Sequence, residues 1–380
     1  MTLMVRDEAD IVGAMLAHHR DQGIDHVLVT DNGSIDGTSD ILRAFEEEGF
    51  ITTWNDPVHR KQQHSTVTKM ARHAAEHLGA DWVVNADADE FWVAKDPGAT
   101  VRSALEQVAD TVPFLTVPVV NLTGPPARNG SGLSRLQYRD HRGAEDLRRT
   151  GIPFHPTADA VHRAHADVEI SQGNHFVSAP GWGDGVVLDT IEVLHLPWRS
   201  WRQYERKVRI AGEAYAANPD LTPSPRHHGM QDYRRLLDDR LLEAYVAKHP
   251  TAEELAEFVA DGSLIRDDRL APLAATTPRG YRADELFDPA EERALNASGR
   301  KYALLEATAD ARFLEMRARA VDAENERDRM VRDCDERLAL LAADRDRLAS
   351  LLHEAQNRRA ARAADRVNAM ARAVLHRSKP

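Results

Sequence analysis

The chain has 380 residues, 42% of them hydrophobic and 29% charged, with a formal net charge of −12. That is enough apolar material for one large domain with a smaller appendage, and the acidic balance argues against broad nucleic-acid binding. Cys334 is the single cysteine, which excludes an internal disulfide and fits a reducing compartment. Residues Met1 to Asp10 are too charged for a signal peptide, and no run approaches ~18 apolar residues. The expectation is a cytoplasmic protein without a transmembrane segment, making at most peripheral contact with the inner membrane surface.

The first 95 residues alternate between strand and helix signals. Leu3-Met4-Val5 reads as a strand. Residues Asp7 to Gln22 carry Ile11, Val12, Met15 and Leu16 at helical spacing, and Gly23 ends that helix. His26 to Thr30 is a second strand, Asp31-Asn32-Gly33-Ser34 a turn, and Asp36-Gly37-Thr38 opens a second helix through Ile41, Leu42 and Phe45. Phe50 to Trp54 is a third strand and Gln62 to Leu78 a third helix. Asp81 to Asn85 is a fourth strand running straight into Asp87-Ala88-Asp89-Glu90. Such alternation predicts an α/β fold with a mostly parallel sheet and helices on both faces. Ligands then bind beyond the carboxyl ends of the strands, where the Asp31 and Asp87 turns both fall.

Residues 100–198 are less regular. Phe114 to Val120 reads as one strand, Asn121 to Arg135 as a loop, and Ile191 to Leu194 as a strand. Helix returns from Trp201 to about Ala217 and again over residues 231–260. These signals divide the chain into a domain over 1–230, a helical extension over 231–280 and a helical arm over 281–380. In the arm, Val331, Cys334, Leu338, Leu341, Arg345, Leu348, Leu352 and Ala355 follow a 3-4 alternation with one charged interruption. That is a short coiled-coil seam for a second copy or a partner, weighed against a solvated helix packed on the domain. The basic end, Arg358 to Lys379, is suited to anionic lipid or a partner, although such tails are commonly just solvated.

Asp87 and Asp89 carry the chemistry. Hard divalent cations take oxygen ligands, and Mg²⁺ or Mn²⁺ uses one or two carboxylates plus substrate phosphates. In an extended segment, side chains two residues apart leave the same face. The pattern alone is weak, because Asp333-Cys334-Asp335 and Asp344-Arg345-Asp346 repeat it. Those pairs lie in a predicted helix, where positions two apart diverge by about 200°. Asp87 and Asp89 instead follow the apolar Trp82-Val83-Val84.

Three motifs together resemble a family: Leu3 to Val12 with Arg6-Asp7-Glu8, then Asp31-Asn32-Gly33-Ser34-Ile35-Asp36-Gly37-Thr38, then Asp87-Ala88-Asp89-Glu90-Phe91. In order and spacing the segment resembles the glycosyltransferase family 2-like group with the GT-A fold. His195-Leu196-Pro197-Trp198-Arg199-Ser200, followed by Tyr204 and Lys207, is similar to a later segment of that group. Arg6-Asp7-Glu8 departs from the Lys-Asn-Glu common there but keeps the first charge. The resemblance implies a nucleoside-diphosphate sugar donor and an unknown acceptor. It implies Asp31 at the nucleobase, Glu8 near the base or ribose, Arg6 and Arg199 at phosphate, and His195 completing a metal site with Asp87 and Asp89. Read as residues alone, Asp31 has a turn cap as its alternative, Glu8 a first-turn helix carboxylate and Arg6 a surface ion pair. His175 rivals His195. Lys207 and the helix starting near Ser200 suit the diphosphate.

An acceptor hydroxyl needs a base. Asp184, on a glycine-rich loop beside Trp182, is the candidate, with Asp140 and Glu192 as alternatives. Two other functions compete. A sugar nucleotidyltransferase needs a glycine-rich N-terminal loop, and Met1 to Asp10 has no glycine. A non-catalytic scaffold presenting the C-terminal helix fits poorly with the joint presence of Asp31, Asp87 and Asp89.

Overall fold

The computed structural model describes residues 1–57, 63–216 and 228–377. Gln62, expected to open the third helix, and Ala217 and Lys379, expected at helix and tail ends, lie outside them. Residues 1–307 form one compact unit and 308–380 a second. Among the described residues no helix is long and apolar enough to cross a membrane.

The amino-terminal alternation folds as expected: β1 (Thr2–Val5), α1 (Val12–Asp21), β2 (Val27–Asp31), α2 (Thr38–Glu47), β3 (Ile51–Asn55), α3 (Gln63–His77) and β4 (Trp82–Ala86). Strands β3, β2, β1 and β4 lie side by side in that order, all parallel. The strand Asp159–Arg163 continues the sheet antiparallel to β4 and is followed by Phe114–Val117. The sheet is therefore mixed, with a parallel core. Its apolar runs are buried: Val27, Val29 and Val83 are inaccessible, as are the α1 residues Val12, Met15 and Leu16 packed against it.

Two expectations fail for one reason, which is that the chain changes sheets. Asp87, Ala88 and Asp89 do not extend β4. They form a turn closed by the Glu90 N–H donating to the Asp87 carbonyl at 3.1 Å. The chain then enters β5 (Glu90–Ala94), which belongs to a second, five-stranded sheet. The run Phe114 to Val120 is likewise two strands, β6 (Phe114–Val117) in the first sheet and β7 (Val119–Thr123) in the second. Pro118 separates them; it has no N–H for a ladder and prefers breaks. The expected loop from Asn121 also begins inside β7 and contains a short strand, Ala127–Asn129.

Helix α1 starts later than the periodicity implies. Asp7 adopts φ 56°, so residues 7–11 form a loop before Val12. Two histidines of α1 serve β5, which pairs with Ile191–His195 on one side. His18 Nε2 donates to the Trp92 carbonyl at 2.8 Å, and the Trp92 N–H donates to His19 Nε2 at 3.2 Å. His19 Nδ1 donates to the Met15 carbonyl. Burial lowers the pKa of both rings, keeping them neutral and able to donate and accept at once.

The last helix runs from Pro289 to Arg377, 89 residues. Its start packs on the helix Leu241–Lys248. A Cβ on Gly299 would overlap the Glu243 carbonyl and stand 2.8 Å from Ala247 Cβ. Gly299→Ala is therefore expected to cost about 1–3 kcal/mol despite the better helix propensity of alanine. Urea denaturation checks this, and an unchanged or raised midpoint contradicts the close packing.

Candidate functional site

The site forms where the two sheets part, at the carboxyl ends of β1 and β4. Asp89 is 2% exposed. Its main chain is fixed by the Leu196 N–H, which donates to the Asp89 carbonyl at 2.9 Å. Three cationic or potentially cationic groups surround Asp89 Oδ2: Lys207 Nζ at 2.7 Å, Arg199 Nη1 at 3.4 Å and His195 Nε2 at 3.8 Å. His195 Nδ1 donates to Asn121 Oδ1 at 2.9 Å, which leaves Nε2 turned toward the carboxylate.

Arg199 is completely buried. Its Nε donates to Asp10 Oδ2 at 2.7 Å and its Nη2 to Asp10 Oδ1 at 3.2 Å. Nη2 also pairs with Glu8 Oε2. One guanidinium thus ties the β1 loop to the Asp89 turn. A buried cation of this kind persists only with such partners.

Burial and charge split the carboxylates into two kinds. For Asp89, burial acts against ionisation, but Lys207, His195 and Arg199 outweigh it and hold the pKa well below normal. For Glu8, burial dominates over Arg199 and Lys207 and pushes the pKa to about 7. For Asp87, burial and then the charge of Asp89 raise it to about 6. Glu90, buried beside Asp159 and Asp87, is raised well above normal. Asp89 is anionic at neutral pH, while Asp87 and Glu8 are poised near it. Added positive charge would ionise both.

The cleft at this point has a volume of about 240 Å³. Arg6, Glu8, Asp87, Asp89 and Lys207 line it together with Asn32, Gln63 and Arg206. The structure therefore unites five residues that sequence reasoning singled out. Arg199 lies directly beneath them. A larger cavity, about 380 Å³, is lined by Met1, His26, Trp82 and Arg102 at the opposite strand ends and contains none of these site residues. The smaller cleft is the better candidate because the opposed charges converge there.

The first two motifs are clasped together. Asp36 Oδ2 accepts from the Ala9 N–H at 3.1 Å, and Asp7 Oδ1 from the Ile35 N–H at 2.7 Å. Thr38 Oγ1 accepts from the Glu8 N–H at 2.9 Å. Gly37, at φ 102°, takes a conformation that suits glycine. Asp31 lies outside the cleft lining. Its Oδ1 accepts from the Ser34 N–H at 2.9 Å and its Oδ2 from the Ser39 hydroxyl at 2.5 Å, so it braces its own turn. Arg6 Nη1 donates to the Asn32 carbonyl at 2.7 Å.

Asp184 is exposed and does not line the cleft. Trp182 beside it turns inward among Phe114, His162 and His165. Glu192 is paired with Arg139 and Arg269, and Asp140 with Arg142. Three residues escaped the sequence reading. Gln63 Nε2 donates to Asp87 Oδ1 at 2.8 Å, and Asn174 Nδ2 donates to the same oxygen at 3.3 Å. Asp159, fully buried, accepts from His175 Nδ1 at 2.9 Å. The signal for this group was Gly173-Asn174-His175, a turn in which both Gly173 and Asn174 have positive φ.

Among the described residues, no three His, Cys, Asp or Glu side chains are arranged to enclose a metal ion. The donors do fit a hard cation held by few protein ligands: Asp87 and Asp89 offer carboxylate oxygen, and Asp87 accepts from the neutral amides of Gln63 and Asn174.

The glycosyltransferase family 92 model matches residues 2–119. The match covers less than a third of the chain, and the family it names is 92 rather than family 2. The match ends within β7, so the Asp87 turn lies inside it and His195, Arg199 and Lys207 lie beyond. No curated protein matches. Among solved structures, S. aureus TarS residues 1–349 is 10% identical, with a TM-score of 0.33, over 81% of this chain and 90% of that one. The same fragment in complex with UDP is 11% identical, with the same TM-score and shares covered. In complex with UDP-GlcNAc it is 10% identical, with a TM-score of 0.32, over 81% of this chain and 91% of that one.

The raised pKa of Asp87 sets a sign for stability. Between pH about 4 and about 6 the folded chain retains a proton that the unfolded chain has released. Stability therefore falls as pH rises across that window and stays lower above it. Asp87→Asn keeps an acceptor for Gln63 and Asn174 but removes the charge. It is expected to stabilise the free protein at pH 8 by on the order of 1–3 kcal/mol, with little gain at pH 4. Thermal melts at the two pH values test this, and a destabilised Asn variant at pH 8 contradicts it.

Proposed function

We propose that the protein is a GT-A-type glycosyltransferase that moves a sugar from a nucleoside-diphosphate donor to an acceptor hydroxyl, using Mg²⁺ or Mn²⁺. The observation that carries this reading is the pairing of anionic Asp89 and charge-poised Asp87 with Lys207 and Arg199 at one strand-end cleft. Carboxylates alone would repel a diphosphate, and cations alone would need no such acids. Together they suit a diphosphate carrying a divalent cation.

In this reading Asp87 and Asp89 would hold the cation, with His195 Nε2 beside Asp89. When bound, it neutralises charge on the leaving diphosphate. Lys207 adds a second positive charge where negative charge grows as the anomeric C–O bond breaks. Glu8 and Arg6 line the donor side, and Asp31 holds the shape of the loop expected to face the nucleobase. Arg199 fixes Glu8, Asp10 and Asp89 so that little reorganisation accompanies the reaction.

The acceptor hydroxyl must lose a proton as its oxygen bonds the anomeric carbon. For that role His175 replaces Asp184. What supports it is that Asp159 accepts from its Nδ1 and that the preceding residue, Asn174, donates to Asp87, although His175 itself does not line the cleft. An imidazole oriented by a buried carboxylate is a common general base. The pKa of His175 is raised, first by its hydrogen bond to Asp159.

Asp89→Asn is expected to lower metal-dependent nucleotide release from the cognate donor by at least about 100-fold. A panel of nucleotide sugars with Mn²⁺ and with chelator checks this. Wild-type turnover in the variant, or no binding of any nucleotide sugar to the parent protein, removes the reading. His175→Gln is expected to reduce kcat of transfer by roughly 10²–10⁴-fold while donor affinity stays unchanged. Loss of donor affinity without loss of kcat would assign His175 to donor binding.

A further inference from the structure

The charged interruption in the C-terminal seam has a physical solution. From Val331 to Ala355 the helix presents Val331, Leu338, Leu341, Leu348 and Leu352, each more than half exposed, with Cys334 also exposed on the same stripe. These positions alternate by three and four residues over about 3.5 heptads, roughly 37 Å of helix. The stripe carries far more apolar side chain than a solvated helix face needs. Arg345 sits in its middle, at a seam position.

Charge is distributed unevenly around that seam. Residues 311–336 hold eight acidic and six basic side chains. Residues 350–375 hold five arginines and two acidic side chains. A parallel second copy would align each segment with itself. It would set Arg345 against Arg345, and beyond the stripe Glu324, Arg327, Arg359, Arg362 and Arg366 each against its own copy. An antiparallel copy reverses this, laying the acidic segment along the basic one. Leu338 then faces Leu348, Cys334 faces Leu352, Val331 faces Ala355, and Arg345 faces Leu341, so the two Arg345 residues no longer meet. Glu324 faces Arg362 just outside the seam. One like-charged pair remains, Arg327 with Arg359.

We propose that residues 331–355 pair with the same segment of a second copy of this chain as an antiparallel coiled coil, with a two-fold axis near Ala343. The occupant is a second copy because both the apolar stripe and the charge pattern are self-complementary under that axis, as an isologous interface requires. The lone arginine at a seam position then selects orientation, as polar residues at such positions do. This pairing is independent of the catalytic reading.

The test uses the full chain in a Cys334→Ser background. Light scattering at micromolar concentration is expected to give twice the chain mass. Leu338→Cys and Leu348→Cys variants, mixed and oxidised, are expected to form the mixed 338–348 disulfide several-fold faster than either forms with itself. Leu338→Glu combined with Leu348→Glu, which sets like charges against each other twice across the axis, is expected to give a monomer of unchanged helical circular dichroism. A monomeric parent chain, or a Glu variant that stays dimeric, overturns the seam. Self-disulfides that outpace the mixed one overturn the antiparallel arrangement.

Discussion

The site depends on one buried guanidinium. Arg199 has no access to solvent and is held by Asp10, Glu8 and Asp89, which come from the β1 loop and the β4–β5 turn. An uncompensated charge at that depth would be prohibitive, and three uncompensated carboxylates would be equally so. The acids and the arginine therefore require one another. That requirement fixes the segment after Ile191–His195 against the amino-terminal strands. It also brings His195 to Asp89 and directs the following helix so that Lys207 reaches the same oxygen.

Compensation is incomplete, and the incompleteness is informative. Asp89 Oδ2 faces Lys207, Arg199 and His195, whereas among the described residues the hydrogen-bond donors to the Asp87 carboxylate are the amides of Gln63 and Asn174. Neutral donors orient a carboxylate without cancelling its charge, so burial and Asp89 together hold Asp87 near its titration point. Keeping that carboxylate buried lowers the stability of the folded chain as pH rises from about 4 to about 6. Sites that bind charged ligands commonly carry such a stability cost.

Much of the amino-terminal half was legible in the sequence because local patterns and tertiary needs coincide there. Val27, Leu28 and Val29 form a buried strand, and Gly37 stands where positive φ is needed. Arg6, Glu8, Asp87 and Asp89 reach one cleft because parallel strands place their carboxyl ends together. The less regular middle was harder. Asp159, Asn174 and Gln63 are polar residues in unremarkable contexts, and only the approach of distant segments gives them a role. Asp184 drew attention through its glycine-rich neighbours, yet its loop stays exposed. His18 and His19 read as polar helix positions, while in the fold they satisfy the backbone of Trp92.

By itself, the sequence determined the order of strands and helices up to β4, the position of the acidic turn and the long C-terminal helix. These follow from periodicity and turn chemistry, which act over a few residues. Tertiary structure alone decided that the chain changes sheets after Asp87 and that Arg199 lies beneath Glu8 and Asp89. Those outcomes depend on contacts between residues more than 100 positions apart or on which sheet edge is free. No local pattern encodes either.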